Sequence, residues 1–139
     1  MNYKVIVSIY LTLLYCGLHA QVRSNKSLNS LGYDIQFVYK DTILEKGSMA
    51  KIKEVAQILK QNDKNYYVDS HTCVEGNQND NLLLTRIRAS IIRKKLIQLG
   101  VDSLKVTPRG RGEMFPVYIV VSPRHNFKNR IIRFTTRKQ

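Results

Sequence analysis

Between Ile35 and Thr136 the apolar residues change their period, and this constrains the fold more than any other feature of the chain. Ile35, Phe37 and Tyr39 alternate with Gln36, Val38 and Lys40, the period of a strand with one predominantly apolar face. Ile52, Val55, Ala56 and Leu59 then recur at helical spacing among Lys51, Lys53, Glu54 and Lys60. A helix is therefore predicted to open at Gly47-Ser48, with Ser48 as its N-cap, and to end near Asn62-Asp63. Tyr66 to His71 is β-rich and predicts a second strand, which the polar stretch from Cys73 to Asp80, with Gly76 inside it, cannot continue. A second helix is expected from about Asp80 to Leu99, stopped by Gly100. Its apolar positions are Leu84, Ile87, Ile91, Ile92, Leu96 and Leu99, and Arg86, Arg93, Lys94 and Lys95 give it a basic face. Leu104 and Val106 mark a third strand, and Arg109-Gly110-Arg111-Gly112 reads as a loop. Pro116 to Val121 is apolar and fits a strand or a buried connection, while Arg130 to Thr136 alternates around Ile132 and Phe134 as the last strand. The order β-α-β-α-β-β is that of a two-layer α/β domain.

The N-terminus does not belong to this pattern. Lys4 is the only charge in residues 1–20, Val5 to Tyr15 is apolar, and Leu18-His19-Ala20 precedes Gln21. This is the layout of a signal peptide, with an apolar run too short to span a bilayer comfortably. A permanent anchor and a lipid-modified Cys16 are the alternatives; the bulky Tyr15 before that cysteine disfavours the second. The expected organisation is a signal peptide over 1–20, a Ser-, Asn- and base-rich linker over 21–33, and one domain over 34–139. Export to the periplasm, or to the periplasmic face of the outer membrane, follows. Of the two cysteines only Cys73 would remain after cleavage, so no intrachain disulfide is expected.

The chain has 139 residues and a formal net charge of +13. After Glu113 there is no acidic residue, while Arg124, Lys128, Arg130, Arg133, Arg137 and Lys138 follow. The excess points to an anionic partner, either a wall polymer, a lipid surface or nucleic acid, or simply to a solvated cationic edge. Export and the lack of any recognised motif argue against nucleic acid. No metal and no cofactor are expected, since His71 and Cys73 have no second cluster of ligands beside them. The same pair could be a base and a thiol nucleophile, but no orienting group or oxyanion loop accompanies it, so an enzyme is not expected.

Asn81, Thr85 and Arg88 stand at i, i+4 and i+7 on the second helix and so share one row of its surface. A polar row ending in an arginine near a helix N-terminus suits a carboxylate, which the helix dipole favours and the guanidinium grips with two donors. Spacing alone also fits a solvated helix face.

The residues around this row resemble those of the OmpA-like, peptidoglycan-associated domain family. That family reads His-Thr-Asp, a glycine three residues on, then Asn-x-x-Leu-Ser-x-x-Arg-Ala. His71, Thr72, Gly76, Asn81, Leu84, Arg88 and Ala89 match in register, and Thr85 replaces the serine. Phe37 with Leu44, Gly100-Val101-Asp102, Gly110, Gly112-Glu113, Pro116 and Asn129-Arg130 extend the likeness over residues 33 to 135. The resemblance implies a mixed sheet with helices on one face, and a non-enzymatic module that binds the diaminopimelate residue of the peptidoglycan stem peptide. Carried onto this chain, Arg88 is the carboxylate partner, Asn81 and Thr85 support the pocket, and His71 and Thr72 line its rim. Cys73 stands where the family has the aspartate that pairs with the ligand ammonium. A thiol near its ordinary pKa is mostly neutral at pH 7, and losing one partner of a charge-assisted pair costs about 1.5–3 kcal/mol. Glu75 is the nearest substitute carboxylate. Cys73-Val74-Glu75-Gly76 also resembles a divergent branch that reads Ser-Pro-Glu-Gly there. Two partners are thus implied: peptidoglycan, or an envelope protein in a secretion or surface-fibre apparatus that has lost wall binding. Either way the chain is at most peripheral to the outer membrane.

Overall fold

The computed structural model describes residues 27–114 and 128–138. The expected signal peptide, residues 21–26 of the expected linker and the ambiguous segment Pro116 to Val121 lie outside them. Six elements follow in order: α1 (Leu28–Tyr33), α2 (Ser48–Lys60), β1 (Tyr66–His71), α3 (Gln78–Gln98), β2 (Val106–Gly112) and β3 (Ile132–Thr136). The strands form one mixed sheet in the order β2-β1-β3, with β1 parallel to β2 and antiparallel to β3. Tyr66 and Val68 on β1, Val106 on β2, and Ile132 and Phe134 on β3 share a core with Leu31, Ile52, Val55, Leu59, Ile92 and Leu96. All three helices thus pack on one face of the sheet, the two-layer α+β arrangement expected.

Four local expectations are corrected. The end of the linker is helical: Ser27 caps α1 by accepting the Ser30 amide, and Leu31 and Gly32 are buried. Gly32 is needed because any Cβ there would collide with the carbonyl oxygen of Ile132. α1 also covers the free edge of β3, since Asn29 Oδ1 accepts the Phe134 amide at 3.2 Å. The alternation over 35–40 does not make a sheet strand. Its apolar side, Ile35 and Phe37, is buried, but the chain turns back on itself in a single bridge between Phe37 and Leu44. The Val38 amide donates to Ile43 O, the Glu45 amide donates to Gln36 O, and Lys40 takes a left-handed φ of 54° at the turn.

Ser48 is the first residue of α2, and the cap position is Gly47, at φ 93°. The Ser48 hydroxyl instead accepts the Gln36 amide and donates to the Gln36 carbonyl, pinning the turn to the helix. Finally, Arg109 to Gly112 is strand, not loop. The glycine is there for contact: a Cβ on Gly110 would sit 2.5 Å from the Arg86 amide nitrogen, so α3 lies on β2 at backbone distance.

Candidate functional site at the N-terminal half of the long helix

α3 is capped by Asn77, whose side chain accepts the Asn79 and Asp80 amides. Leu82, Leu83, Leu84, Ile87, Ile91 and Ile92 surround it almost completely, so its pattern does not declare which side turns inward. The structure turns the polar row in. Asn81, Thr85, Arg88, Ala89, Ile92 and Leu96 are the buried residues, whereas Leu83 is 57 % exposed and Ile87, expected in the core, is 41 % exposed. Burying an arginine while exposing an isoleucine on the same helix opposes the hydrophobic effect. Such local violations concentrate at functional sites.

Each member of the row has a defined task. Thr85, fully buried, donates to Leu82 O and accepts the Gly112 amide at 2.9 Å, closing the end of β2. Asn81 Nδ2 donates to Glu113 Oε2 at 2.6 Å, to Glu75 O at 3.1 Å and to Cys73 O at 3.5 Å, tying the loop after β1 to the chain leaving β2. Arg88 is 4 % exposed. Its Nε donates to Asp41 O at 2.8 Å and its Nη2 to Val38 O at 3.0 Å, with the Phe37 ring centroid 5.0 Å away. Among the described residues it has no carboxylate partner; two carbonyl dipoles compensate the buried charge. Burial pushes its pKa down, helped by the charge of Arg130 and opposed by Asp41 and Cys73. An arginine remains charged regardless.

The other expected residues gather beside it. His71 and Thr72 are buried, and their amides donate to Ile131 O and Gly112 O. Cys73 is buried, and its Sγ accepts Arg130 Nε at 3.1 Å. Glu75 Oε2 accepts the Tyr39 hydroxyl at 2.7 Å and Arg130 Nη2 at 3.3 Å, while the Arg130 guanidinium lies 4.6 Å from the Tyr39 ring centroid. The Tyr39 hydrogen bond holds the Glu75 carboxyl below its usual range, with Arg130 and Lys40 acting in the same sense against desolvation. Residues 71–75, Tyr39, Arg88 and Arg130 therefore form one neighbourhood. A partly open pocket between Phe37, Ser70, His71, Arg88 and Arg130 has a volume of about 10 Å³, room for about one water molecule.

Sequence reasoning missed Arg130 and Tyr39 as site members. The only signal for Arg130 was the Asn-Arg pair with which the resembled family closes; Tyr39 had none beyond its place in the first alternating run.

A mixed three-stranded sheet under helices, with a buried arginine facing a sheet-end loop, places the chain in a class of two-layer α+β domains. The particular family is shown by the sequence: residues 36–130 match the OmpA family, and the chain belongs to it. Solved structures share the fold. The peptidoglycan-associated lipoprotein from Burkholderia pseudomallei is 22 % identical, with a TM-score of 0.66 over 74 % of this chain and 88 % of that one. The C-terminal domain of Helicobacter pylori MotB is 20 % identical, with a TM-score of 0.67 over 76 % of this chain and 84 % of that one. The cell wall anchor of the type VI secretion system from Pseudomonas aeruginosa is 19 % identical, with a TM-score of 0.64 over 76 % of each. No curated protein matches the chain.

Proposed function

We propose that the chain is a non-enzymatic, exported envelope module that holds peptidoglycan noncovalently through the Arg88 guanidinium, at the periplasmic face of the outer membrane. The observation that carries this reading is a buried arginine in the family register, held by the Val38 and Asp41 carbonyls with no carboxylate partner among the described residues. A peptidoglycan-associated lipoprotein and a cell wall anchor among the proteins of the same fold support it. The ligand carboxylate of the diaminopimelate stem peptide would meet Arg88. Glu75 would take the ammonium, in place of the acid that Cys73 replaces, after releasing Arg130. His71 and Thr72 would frame the entrance, and Asn81 and Thr85 would hold its loops. Sedimentation with purified sacculi tests the reading. Arg88→Ala and the charge-conserving Arg88→Lys should both lose the bound fraction, and retention unchanged in both would end it.

A second reading has its own support: Cys73 Sγ is bonded by Arg130, and the described pocket beside Arg88 has room for about one water. On that reading the chain is a protein-interaction part of an envelope secretion or surface-fibre apparatus that no longer binds the wall. Crosslinking to a partner, with no affinity for sacculi, would favour it.

A further inference from the structure

The sheet has a second face, which the described helices leave uncovered. Tyr67 and Asp69 on β1, Thr107, Arg109 and Arg111 on β2, and Arg133 and Thr135 on β3 alternate with the core residues and point away from them. Among the described residues Asp69 is the only acid of this face, and it sits at its centre, paired in register with Arg109 on one side and Arg133 on the other. Arg109 grips it with Nε at 2.5 Å and Nη2 at 2.9 Å, Arg111 adds Nε at 3.2 Å, and the Thr135 hydroxyl donates at 2.6 Å. Arg133 makes no bond to it, and its buried Nε has no acceptor among the described residues. Arg137 follows on β3's exit and reaches Thr107 on β2. Of the four guanidiniums on this face, Asp69 thus binds two, and Arg133 Nε is left without an acceptor among the described residues.

We propose that this outward sheet face docks an acidic, extended segment of a partner protein, whose carboxylates engage Arg133 and Arg137. The chemistry is the one the face already performs on Asp69, a planar guanidinium fork closed by a threonine hydroxyl. The width argues for a polypeptide: β2 and β3 stand two strand spacings apart, about 10 Å, room for one extended chain and less than a duplex or bilayer would cover. The proposal does not depend on Arg88, which lies on the other face of the sheet.

Poly-L-glutamate is the probe, titrated against the purified chain by fluorescence anisotropy at about 0.15 M salt, where isolated surface charges are screened. Arg133→Gln/Arg137→Gln should weaken binding about tenfold, as two half-exposed ion pairs would. Lys53→Gln/Lys94→Gln, which removes the same charge from exposed helix positions, should leave it within about twofold. Equal weakening in both double variants would overturn the site. Tighter binding of phosphatidylglycerol vesicles or duplex DNA through the same two arginines would overturn the choice of partner. Should the first pair unfold, Arg133→Lys/Arg137→Lys keeps the charge and loses the fork, and undiminished binding by it would likewise overturn the forked recognition.

Discussion

At Arg88 the guanidinium has two structural bonds and a proposed ligand, and substitutions separate them. Arg88→Lys keeps the charge but places one ammonium where two carbonyls, 38 and 41, now find donors. One carbonyl should then go unpaired, at a cost of about 1–3 kcal/mol in urea unfolding at neutral pH. Thr85 gives a cleaner measure of the same kind. Thr85→Val preserves shape and leaves the buried Gly112 amide without an acceptor. A loss of about 1–3 kcal/mol is expected, whereas Thr85→Ser, which keeps the hydroxyl, should lose about 1 kcal/mol for its methyl group. If valine proved no worse than serine, the hydroxyl would not be what closes β2. The spacing of Asn81, Thr85 and Arg88 was legible in the sequence because it needs only helical geometry. Their inward orientation was not, because the leucines and isoleucines around α3 point in every direction and periodicity alone cannot choose among them. Nor could any spacing in the sequence show that Arg130, 57 residues from Cys73, would cover its sulfur.

Among the elements, β1, α2, α3 and β3 could be read to within a few residues, β1, α2 and β3 from the run each contributes to the core and α3 from its length between Gly76 and Gly100. The errors fell where a residue's role depends on a distant backbone. Arg-Gly-Arg-Gly has turn composition, yet it is a strand because α3 rests on Gly110. Ile35-Phe37 has strand alternation, yet it pairs with its own continuation at Leu44, and α1 rather than this segment bonds the Phe134 amide of β3. Gly110→Ala tests the first contact. Its methyl would meet Arg86 backbone at 2.5 to 2.8 Å, and backbone cannot rotate away as a side chain does. Moving α3 off β2 should cost about 1–3 kcal/mol, and because Thr85 and Arg88 ride on the same helix, sacculus binding should fall with it. A substitution as stable as the parent would mean that the helix is not held at backbone distance.

Across the whole molecule the two faces of the sheet follow opposite rules. Beneath the helices, the apolar core meets a buried arginine compensated by carbonyl dipoles. On the outer face, charge is compensated by charge, through the one carboxylate that links all three strands: Asp69 on β1, Arg109 and Arg111 on β2, Thr135 on β3. This arrangement makes acid stability a property of the sheet as a whole. Burial pushes the Asp69 carboxyl up, but the hydrogen bonds from Arg109 and Thr135 and the charges of both arginines outweigh it, so its pKa ends below the ordinary value. In the unfolded chain an aspartate titrates near about 3.9. Because the folded value is the lower one, the stabilisation is complete well above that pH. It declines as pH falls from there through the folded value, because the unfolded state takes up the proton first. Urea midpoints measured from about pH 6 down to about pH 3 should therefore fall more steeply for the parent chain than for Asp69→Asn. The variant will be less stable at neutral pH, since it leaves Arg109 and Arg111 facing each other without the anion between them. Its acid slope should nevertheless be shallower, and parallel slopes would show that Asp69 does not carry the linkage between the strands.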